Sequence, residues 1–141
     1  MNKTIFFHTE EITFIIKNKK GLRNWLSELA ETEQKIIGEL NYIFCSDEYL
    51  LKVNKDHLNH DYYTDVITFD YCENDIISGD IFISVDRIKD NAKTFKKTIA
   101  NELNRVMAHG LLHLMGYKDK SEEDEKEMRE MEEFSLNLLD K

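Results

Sequence analysis

The chain has 141 residues, a formal net charge of −9, 41% hydrophobic residues and 33% charged residues. This length fits a single domain, and the hydrophobic fraction is sufficient for one core, so the composition excludes a disordered chain. The sequence contains no proline and only five glycines. It also shows no internal repeat or low-complexity segment, and we therefore expect one domain over residues 1–141.

Acidic residues are concentrated near the end of the chain. Residues 121–141 carry nine acidic and three basic side chains, which leaves a net charge of −3 for residues 1–120. Such a stretch is typical of a solvated helix face. The overall charge therefore does not exclude an anionic partner for the rest of the chain.

The sequence predicts a cytoplasmic protein. The apolar run near its start is three residues long and soon meets two glutamates, which is unlike an export signal, and no other run approaches the length of a membrane span. Cys45 and Cys72 are distant in sequence and form no C-x-x-C motif. This pattern is typical of buried thiols in a reducing compartment.

The first half of the chain predicts strands on either side of a helix. Residues 4–7 and 12–16 are rich in Ile, Phe and Thr and are expected to form two short strands with two glutamates in the turn between them. Residues 21–32 place apolar side chains at helical spacing, whereas residues 38–45 alternate as a strand. Asp47 is expected to cap a short helix that follows.

The middle of the chain predicts an antiparallel hairpin. Residues 66–71 and 79–85 have strand-like composition, and a polar loop over residues 72–78 joins them. A helix is expected after Asp86. Strands precede helices more than they alternate with them, which indicates an α+β fold with about four strands packed against helices.

The last third of the chain predicts two further helices. Thr98 is the expected cap of a helix that is apolar nearly all round and should therefore be central, and Gly116 is its expected end. Ser121, with Asp124 three residues later, is expected to open the final helix. We predict that the apolar face of this helix consists of Met128, Met131, Phe134 and Leu138.

The segment His109-Gly110-Leu111-Leu112-His113-Leu114-Met115-Gly116-Tyr117-Lys118-Asp119 carries the chemistry. Two histidines at positions i and i+4 share a helix face, so both imidazoles can reach one metal ion. Gly116 lets the chain turn back, and the carboxylate of Asp119 can then join them. Two nitrogens and one oxygen leave a fourth position for water, which is the arrangement of a catalytic zinc, and zinc lowers the pKa of such a water to about 7.

Histidine pairs at this spacing are often structural, but these two lie among apolar residues, where buried imidazoles need polar partners that a metal supplies.

The identity of residue 110 helps to distinguish between two classes of hydrolase. In metallopeptidases with the H-E-x-x-H motif, the residue after the first histidine is the glutamate that acts as general base, and here it is Gly110. A phosphodiester substrate needs no such base, because the metal both activates water and neutralises phosphate charge.

The same segment resembles the signature of the YbeY family of bacterial rRNA-maturation endoribonucleases, H-G-x-L-H-L-x-G-Y-D-H. The matching residues are His109, Gly110, Leu112, His113, Leu114, Gly116 and Tyr117. Further upstream, the residues that resemble other family segments are Val53-Asn54, Asp61, Thr64-Asp65-Val66-Ile67-Thr68-Phe69, Gly79-Asp80-Ile81 and Glu102-Leu103. The similarity covers residues 38–138.

The resemblance implies an α+β fold with a mixed sheet and a zinc-type site. It also implies hydrolysis of single-stranded RNA in rRNA maturation, at the 3′ end of 16S rRNA, with a role in ribosome quality control. The implied partners are rRNA and the small ribosomal subunit.

Three departures from the family pattern matter for function. Asp119 stands where the family has its third metal-binding histidine, Leu58 where it usually has an arginine thought to meet the RNA backbone, and Tyr63 where it has a proline. A carboxylate is a harder ligand than imidazole, so manganese or magnesium should compete better with zinc.

Other polar residues have weaker patterns. Four lysines share one helix face if the helix after Asp86 persists that far: Lys89, Lys93, Lys96 and Lys97. Such basic faces are usually only solvated, and RNA contact is the alternative. Glu102 lies two helical turns before His109 and is expected to orient a ligand histidine. The remaining histidines, His8, His57 and His60, are expected to be structural or surface residues.

Two alternatives to a metal-dependent endoribonuclease remain open. The first is a metallopeptidase of zincin type that uses another acid as its base. The second is a ribosome-associated binding protein with a structural metal, which would require a closed site of four protein ligands. No fourth protein ligand is apparent from the sequence.

Overall fold

The computed structural model describes residues 4–59 and 63–139, so His60 and Asp61 lie outside the described residues. The helices and strands in this part of the chain are, in order, β1 (Ile5–Glu10), α1 (Lys19–Glu31), β2 (Ile36–Cys45), α2 (Asp47–Leu58), β3 (Val66–Asp70), β4 (Ile76–Ser84), α3 (Val85–Thr94), α4 (Ile99–Leu114) and α5 (Glu122–Leu139). None of these helices is both long enough and apolar enough to cross a membrane.

The four strands form one mixed sheet in the order β1-β2-β4-β3. β1 and β4 both run parallel to β2, whereas β3 pairs antiparallel with β4. The α+β class, the mixed sheet and the antiparallel hairpin are therefore confirmed. Because β1 and β2 are parallel, the connection between them must cross over, and α1 makes this crossover and packs against the sheet.

The main core lies between one face of the sheet and the helices. Alternate residues of β2 point into it, and Leu40, Tyr42 and Phe44 are fully buried there. Trp25 on α1 donates a hydrogen bond from Nε1 to the backbone oxygen of Ser135, 2.7 Å away, and so ties α5 to α1. A smaller cluster on the other face of the sheet comprises Cys45, Leu50, Val53 and Ile67.

The predicted strand over residues 12–16 is wrong. The segment has no regular secondary structure and pairs with no strand of the sheet, and Glu11 before it adopts a left-handed backbone with φ 55°. Ile12, Phe14 and Ile16 still point alternately into the core, while Ile15 is 78% exposed. The alternation of apolar and polar residues therefore shows which side chains are buried in the core, although the segment has no neighbouring strand to pair with.

The helix starts are set by side-chain caps, and two of the caps, Thr98 and Ser121, were predicted. The Thr98 hydroxyl accepts from the Asn101 amide and starts α4, and Ser121 and Asp124 form the expected reciprocal cap of α5. At α2 the cap is Ser46 instead of Asp47, because the Ser46 hydroxyl accepts from the Tyr49 amide. Ser84 caps α3 in the same way and starts it one residue before Asp86.

The predicted apolar face of α5 is partly wrong. Met128 and Leu138 are buried as expected, but Phe134 is 43% exposed. Glu132 and Ser135 take the buried places instead. They can lie there because hydrogen bonds to Arg105, His109 and the backbone oxygen of Met131 satisfy both side chains.

The central position predicted for α4 is confirmed, and Gly110 accounts for its close approach to the sheet. A Cβ atom at Gly110 would lie 2.8 Å from Cγ2 of Ile81 on β4, so only a residue without a side chain fits. The side of α4 that carries Gly110 is therefore pressed onto the sheet. His109 and His113 lie outside this contact and remain partly exposed.

Candidate metal centre

Two imidazole rings meet on the partly exposed side of α4. His109 and His113 are one helical turn apart, and their Nε2 atoms are separated by 3.0 Å. The ring planes are nearly perpendicular, at 85°. The side chains are 16% and 24% exposed, so the pair is shielded from water without being sealed from it.

The second nitrogen of each ring is held by a hydrogen-bond acceptor. His109 Nδ1 lies 2.6 Å from Oε2 of Glu132, and His113 Nδ1 lies 2.9 Å from the backbone oxygen of Tyr117. A carboxylate and a carbonyl can only accept, so these partners assign the proton of each neutral ring to Nδ1. Both Nε2 atoms then present lone pairs to each other, an arrangement that a cation between them stabilises.

A glycine turn returns the chain to this pair. Gly116, with φ 106°, ends α4 in a Schellman motif, in which its amide donates to His113 O and the Tyr117 amide donates to Leu112 O, each at 3.0 Å. The Tyr117 hydroxyl donates to Oε2 of Glu33 at 2.7 Å and anchors the segment beyond the turn. Burial and this hydrogen bond raise the pKa of Tyr117 to about 12, so the hydroxyl keeps its proton.

The turn brings Asp119 to the histidines. Its Oδ2 atom lies 3.2 Å from Nε2 of His113 and 3.6 Å from Nε2 of His109, and its side chain is 44% exposed. The three candidate residues from the sequence are thus close together, with ligand atoms all within 4.8 Å of one another.

The donor set fits a divalent metal ion. Ligand atoms of a tetrahedral zinc, bound at about 2.0–2.1 Å, are about 3.4 Å apart, and the three separations in this cluster are 3.0, 3.2 and 3.6 Å. Two imidazole nitrogens and a carboxylate oxygen suit zinc and other first-row divalent ions. Within residues 4–59 and 63–139, no fourth histidine, cysteine or acidic residue joins the group.

Glu132 belongs to a buried chain of charges. Its other oxygen, Oε1, accepts from Arg105 Nη1 at 2.9 Å, and Arg105 also makes two hydrogen bonds to Glu102 at 2.7 and 3.1 Å. Burial raises the pKa of Glu132, but the hydrogen bond from His109 and the charge of Arg105 outweigh it, and the pKa is lowered overall. The carboxylate therefore stays ionised and fixes the orientation of the His109 ring.

This chain of charges corrects the role expected of Glu102. The residue is buried, but it reaches Arg105 instead of a histidine, and Glu132 makes the contact that was predicted for it. Glu132 was not identified from the sequence because it belongs to an acidic stretch that resembles a solvated face. Its spacing of four residues from the buried Met128 was the available signal that it points inward.

The other polar candidates lie apart from the cluster. His8 bonds to Oδ1 of Asn41 on the sheet, and His57 packs edge-on against Phe69. The thiol of Cys72 lies within 3.6 Å of the backbone oxygens of Ser78 and Leu114 and does not join the metal ligands. The four-lysine helix face is wrong, since α3 ends at Thr94 and leaves two of its lysines in the connection to α4: Lys96 and Lys97.

Comparison with known proteins identifies the family. The family model described as Endoribonuclease YbeY matches residues 5–140. The chain belongs to this family. Similar relatives named Endoribonuclease YbeY include those of Cytophaga hutchinsonii, 54% identical over 96% of this chain and 96% of the relative, and Flavobacterium johnsoniae, 52% identical over 92% and 93%. The relative from Porphyromonas gingivalis is 44% identical over 96% of this chain and 89% of its own length.

A solved structure supports the same assignment at the level of the fold. The solution structure of a protein from Thermotoga maritima is similar to this chain with a TM-score of 0.68 and 29% sequence identity. The similarity covers 96% of this chain and 88% of that protein. The resemblance read from the His109–Asp119 segment is thus confirmed over nearly the whole chain.

The hydrogen bonds at the two rings predict their tautomers. In metal-free protein, the neutral rings of His109 and His113 should both carry the proton on Nδ1. His8 is an internal control with the opposite tautomer, because its Nε2 must donate to Oδ1 of Asn41. Long-range ¹H–¹⁵N correlation spectra distinguish the two forms. An Nε2–H form at either His109 or His113 would contradict the lone-pair arrangement.

Proposed function

We propose that this protein is a metal-dependent endoribonuclease that cleaves single-stranded RNA, with His109, His113 and Asp119 as its metal ligands. The observation that carries the proposal is the pair of facing Nε2 atoms, 3.0 Å apart, with a carboxylate oxygen beside them. Three acceptors that converge in this way favour a cation, and three protein ligands leave a coordination position for water or substrate.

The residues of the site have distinct roles in this proposal. A divalent cation, when bound, supplies Lewis-acid activation of water and neutralises phosphate charge. His109 and His113 hold their Nε2 lone pairs towards it because Glu132 and the Tyr117 carbonyl fix both rings. Asp119 adds negative charge and, being 44% exposed, lies on the side of the site that is open to solvent.

An RNA substrate is favoured over a peptide by the environment of residue 110. The general base of an H-E-x-x-H peptidase would occupy this position, which instead packs against Ile81 with no room for a side chain. The names of the relatives, Endoribonuclease YbeY, support the same choice. A purely structural metal is disfavoured because the described residues offer three ligands instead of four.

The wider role that we propose is in ribosome maturation. The family resemblance supports processing at the 3′ end of 16S rRNA and ribosome quality control in the cytoplasm, with rRNA and the small ribosomal subunit as partners. The proposed ion is zinc, in one copy. The carboxylate at position 119 makes manganese or magnesium more competitive than a third histidine would.

The proposed activity predicts metal-dependent cleavage of RNA. Protein supplied with zinc or manganese should cleave single-stranded RNA, should leave unfolded casein intact, and should lose activity on addition of a chelator. His109→Ala should reduce cleavage to the chelator level, whereas His8→Ala, which alters a surface histidine on the sheet, should retain it. Chelator-sensitive cleavage of casein without cleavage of RNA would overturn the assignment.

Ligation by Asp119 predicts a graded series of metal affinities. Loss of a hydrogen bond to a metal ligand typically weakens metal binding 10- to 100-fold, which is about 1.4–2.7 kcal/mol. Asp119→Ala removes a ligand itself and should therefore weaken zinc binding by more than this. Asp119→His should retain binding and shift the preference towards zinc over manganese. The free energy of unfolding of the metal-free variants should change by about 0.5 kcal/mol or less, because the side chain is 44% exposed.

Calorimetric titration with zinc and with manganese, together with thermal melts of the metal-free proteins, measures both quantities. Glu122→Ala is the matched control, since it removes an exposed acidic residue of the neighbouring helix without touching the cluster. Equal affinities in wild type, Asp119→Ala and Asp119→His would reject Asp119 as a ligand.

A further inference from the structure

The connection between α3 and α4 forms a basic edge with one aromatic residue in it. We call residues 93–97 the rim; in order they are Lys93, Thr94, Phe95, Lys96 and Lys97. All five are exposed, and the Phe95 side chain has no part in either hydrophobic cluster. An aromatic ring that is 58% exposed between lysines is available to contact a ligand.

Phe95 lies between the metal site and the lysines. It lines a cavity of about 500 Å³ together with His109 and Asp119. It also lines a neighbouring cavity of about 410 Å³ together with Lys97 and Asn101. The two cavities share Phe95, Arg105, Glu133 and Leu136, so Phe95 lies at the boundary that a chain passing from one cavity to the other would cross.

The charge on the two sides of this path is unequal. The α5 side of the first cavity carries Glu125, Glu132 and Glu133, against a single exposed cation, Arg129. On the rim, none of the three lysine side chains forms an ion pair with another described residue. A polyanion at the metal site is therefore drawn towards the rim and away from α5.

We infer that the rim is a substrate subsite, where an unpaired RNA base stacks on Phe95 and backbone phosphates contact Lys97 and its neighbouring lysines. This inference rests on the proposed function, since it places the nucleotides that flank the cleaved bond. Exposed aromatic rings beside cations are the elements by which proteins hold single-stranded nucleic acid. A base within a duplex is already stacked on both faces, so a lone aromatic platform selects for unpaired RNA.

The Phe95 side chain can be changed without loss of the fold. Phe95 ends α3 through its backbone amide, which donates to Asn91 O and Lys93 O, so the ring is not required for the cap. Phe95→Ala should therefore leave the thermal melt unchanged. Phe134→Ala is a matched control, because Phe134 is also an exposed aromatic residue, at 43%, and lines neither cavity.

The test is RNA binding without cleavage. Fluorescence anisotropy with a labelled single-stranded RNA of about ten nucleotides, in the presence of a chelator, gives Kd for the full-length chain. Phe95→Ala should raise Kd at least about fivefold, whereas Phe95→Trp and Phe134→Ala should stay within about twofold of wild type. Binding of a duplex of the same sequence should not depend on Phe95.

The lysine contact has its own signature in salt dependence. Lys97→Gln should reduce the slope of log Kd against log salt concentration by about 0.7, the value for one lost phosphate contact in a single strand, and Phe95→Ala should leave the slope unchanged. Equal Kd values in wild type and Phe95→Ala would overturn the inference and would point to a protein partner for the rim. A loss of RNA affinity in Phe134→Ala equal to that in Phe95→Ala would also overturn the inference.

The failure of this inference can be told apart from that of the proposed function. RNA cleavage with binding that is independent of Phe95 overturns the subsite alone. Binding that depends on Phe95, without metal-dependent cleavage, upholds the subsite and overturns the catalytic proposal. A wild-type chain that neither binds nor cleaves RNA overturns both.

Discussion

The Nε2 lone pairs of His109 and His113 face each other across 3.0 Å, and the rest of the site is arranged around that contact. Two acceptors at this distance repel each other unless a positive charge lies between them or one ring turns away. Neither ring is free to turn, because Glu132 and the Tyr117 carbonyl each hold an Nδ1 proton. The protein therefore holds both Nε2 atoms in place for a cation, and this preorganisation is the physical basis of the proposed metal dependence.

The surrounding fold supplies what this contact requires. Gly110 lets α4 lie against β4, and His109 and His113 lie beside this contact, on the part of the helix surface that remains partly exposed. Gly116 ends the helix in a turn that both presents the Tyr117 carbonyl to His113 and returns the chain towards Asp119. The buried Glu132 is kept ionised by Arg105, which is in turn neutralised by Glu102. These features lie on α4, on α5 and on the connection between them, so the packing of the two helices and the geometry of the metal site are coupled.

The sequence predicted those parts of the structure that depend on local periodicity and spacing. The hairpin of β3 and β4, the Thr98 cap and the shared face of His109 and His113 follow from side-chain patterns within a few residues. The unpaired segment at residues 12–16 could not be predicted, because alternation reports which side chains are buried and not whether a neighbouring strand exists. Glu132 could not be assigned for a related reason: its partner lies 23 residues away, and its local composition is that of a solvated surface.

The central claim is that one cation is bound by two Nε2 atoms and the Asp119 carboxylate. Anomalous diffraction from crystals of the zinc-loaded protein tests it most directly, since the scattering locates the ion independently of any assay of activity. The account predicts a single peak at about 2.0–2.2 Å from Nε2 of His109, Nε2 of His113 and an oxygen of Asp119, with Glu132 still hydrogen-bonded to His109 Nδ1. A peak bound by one histidine only, or by Glu132 in place of Asp119, would contradict it.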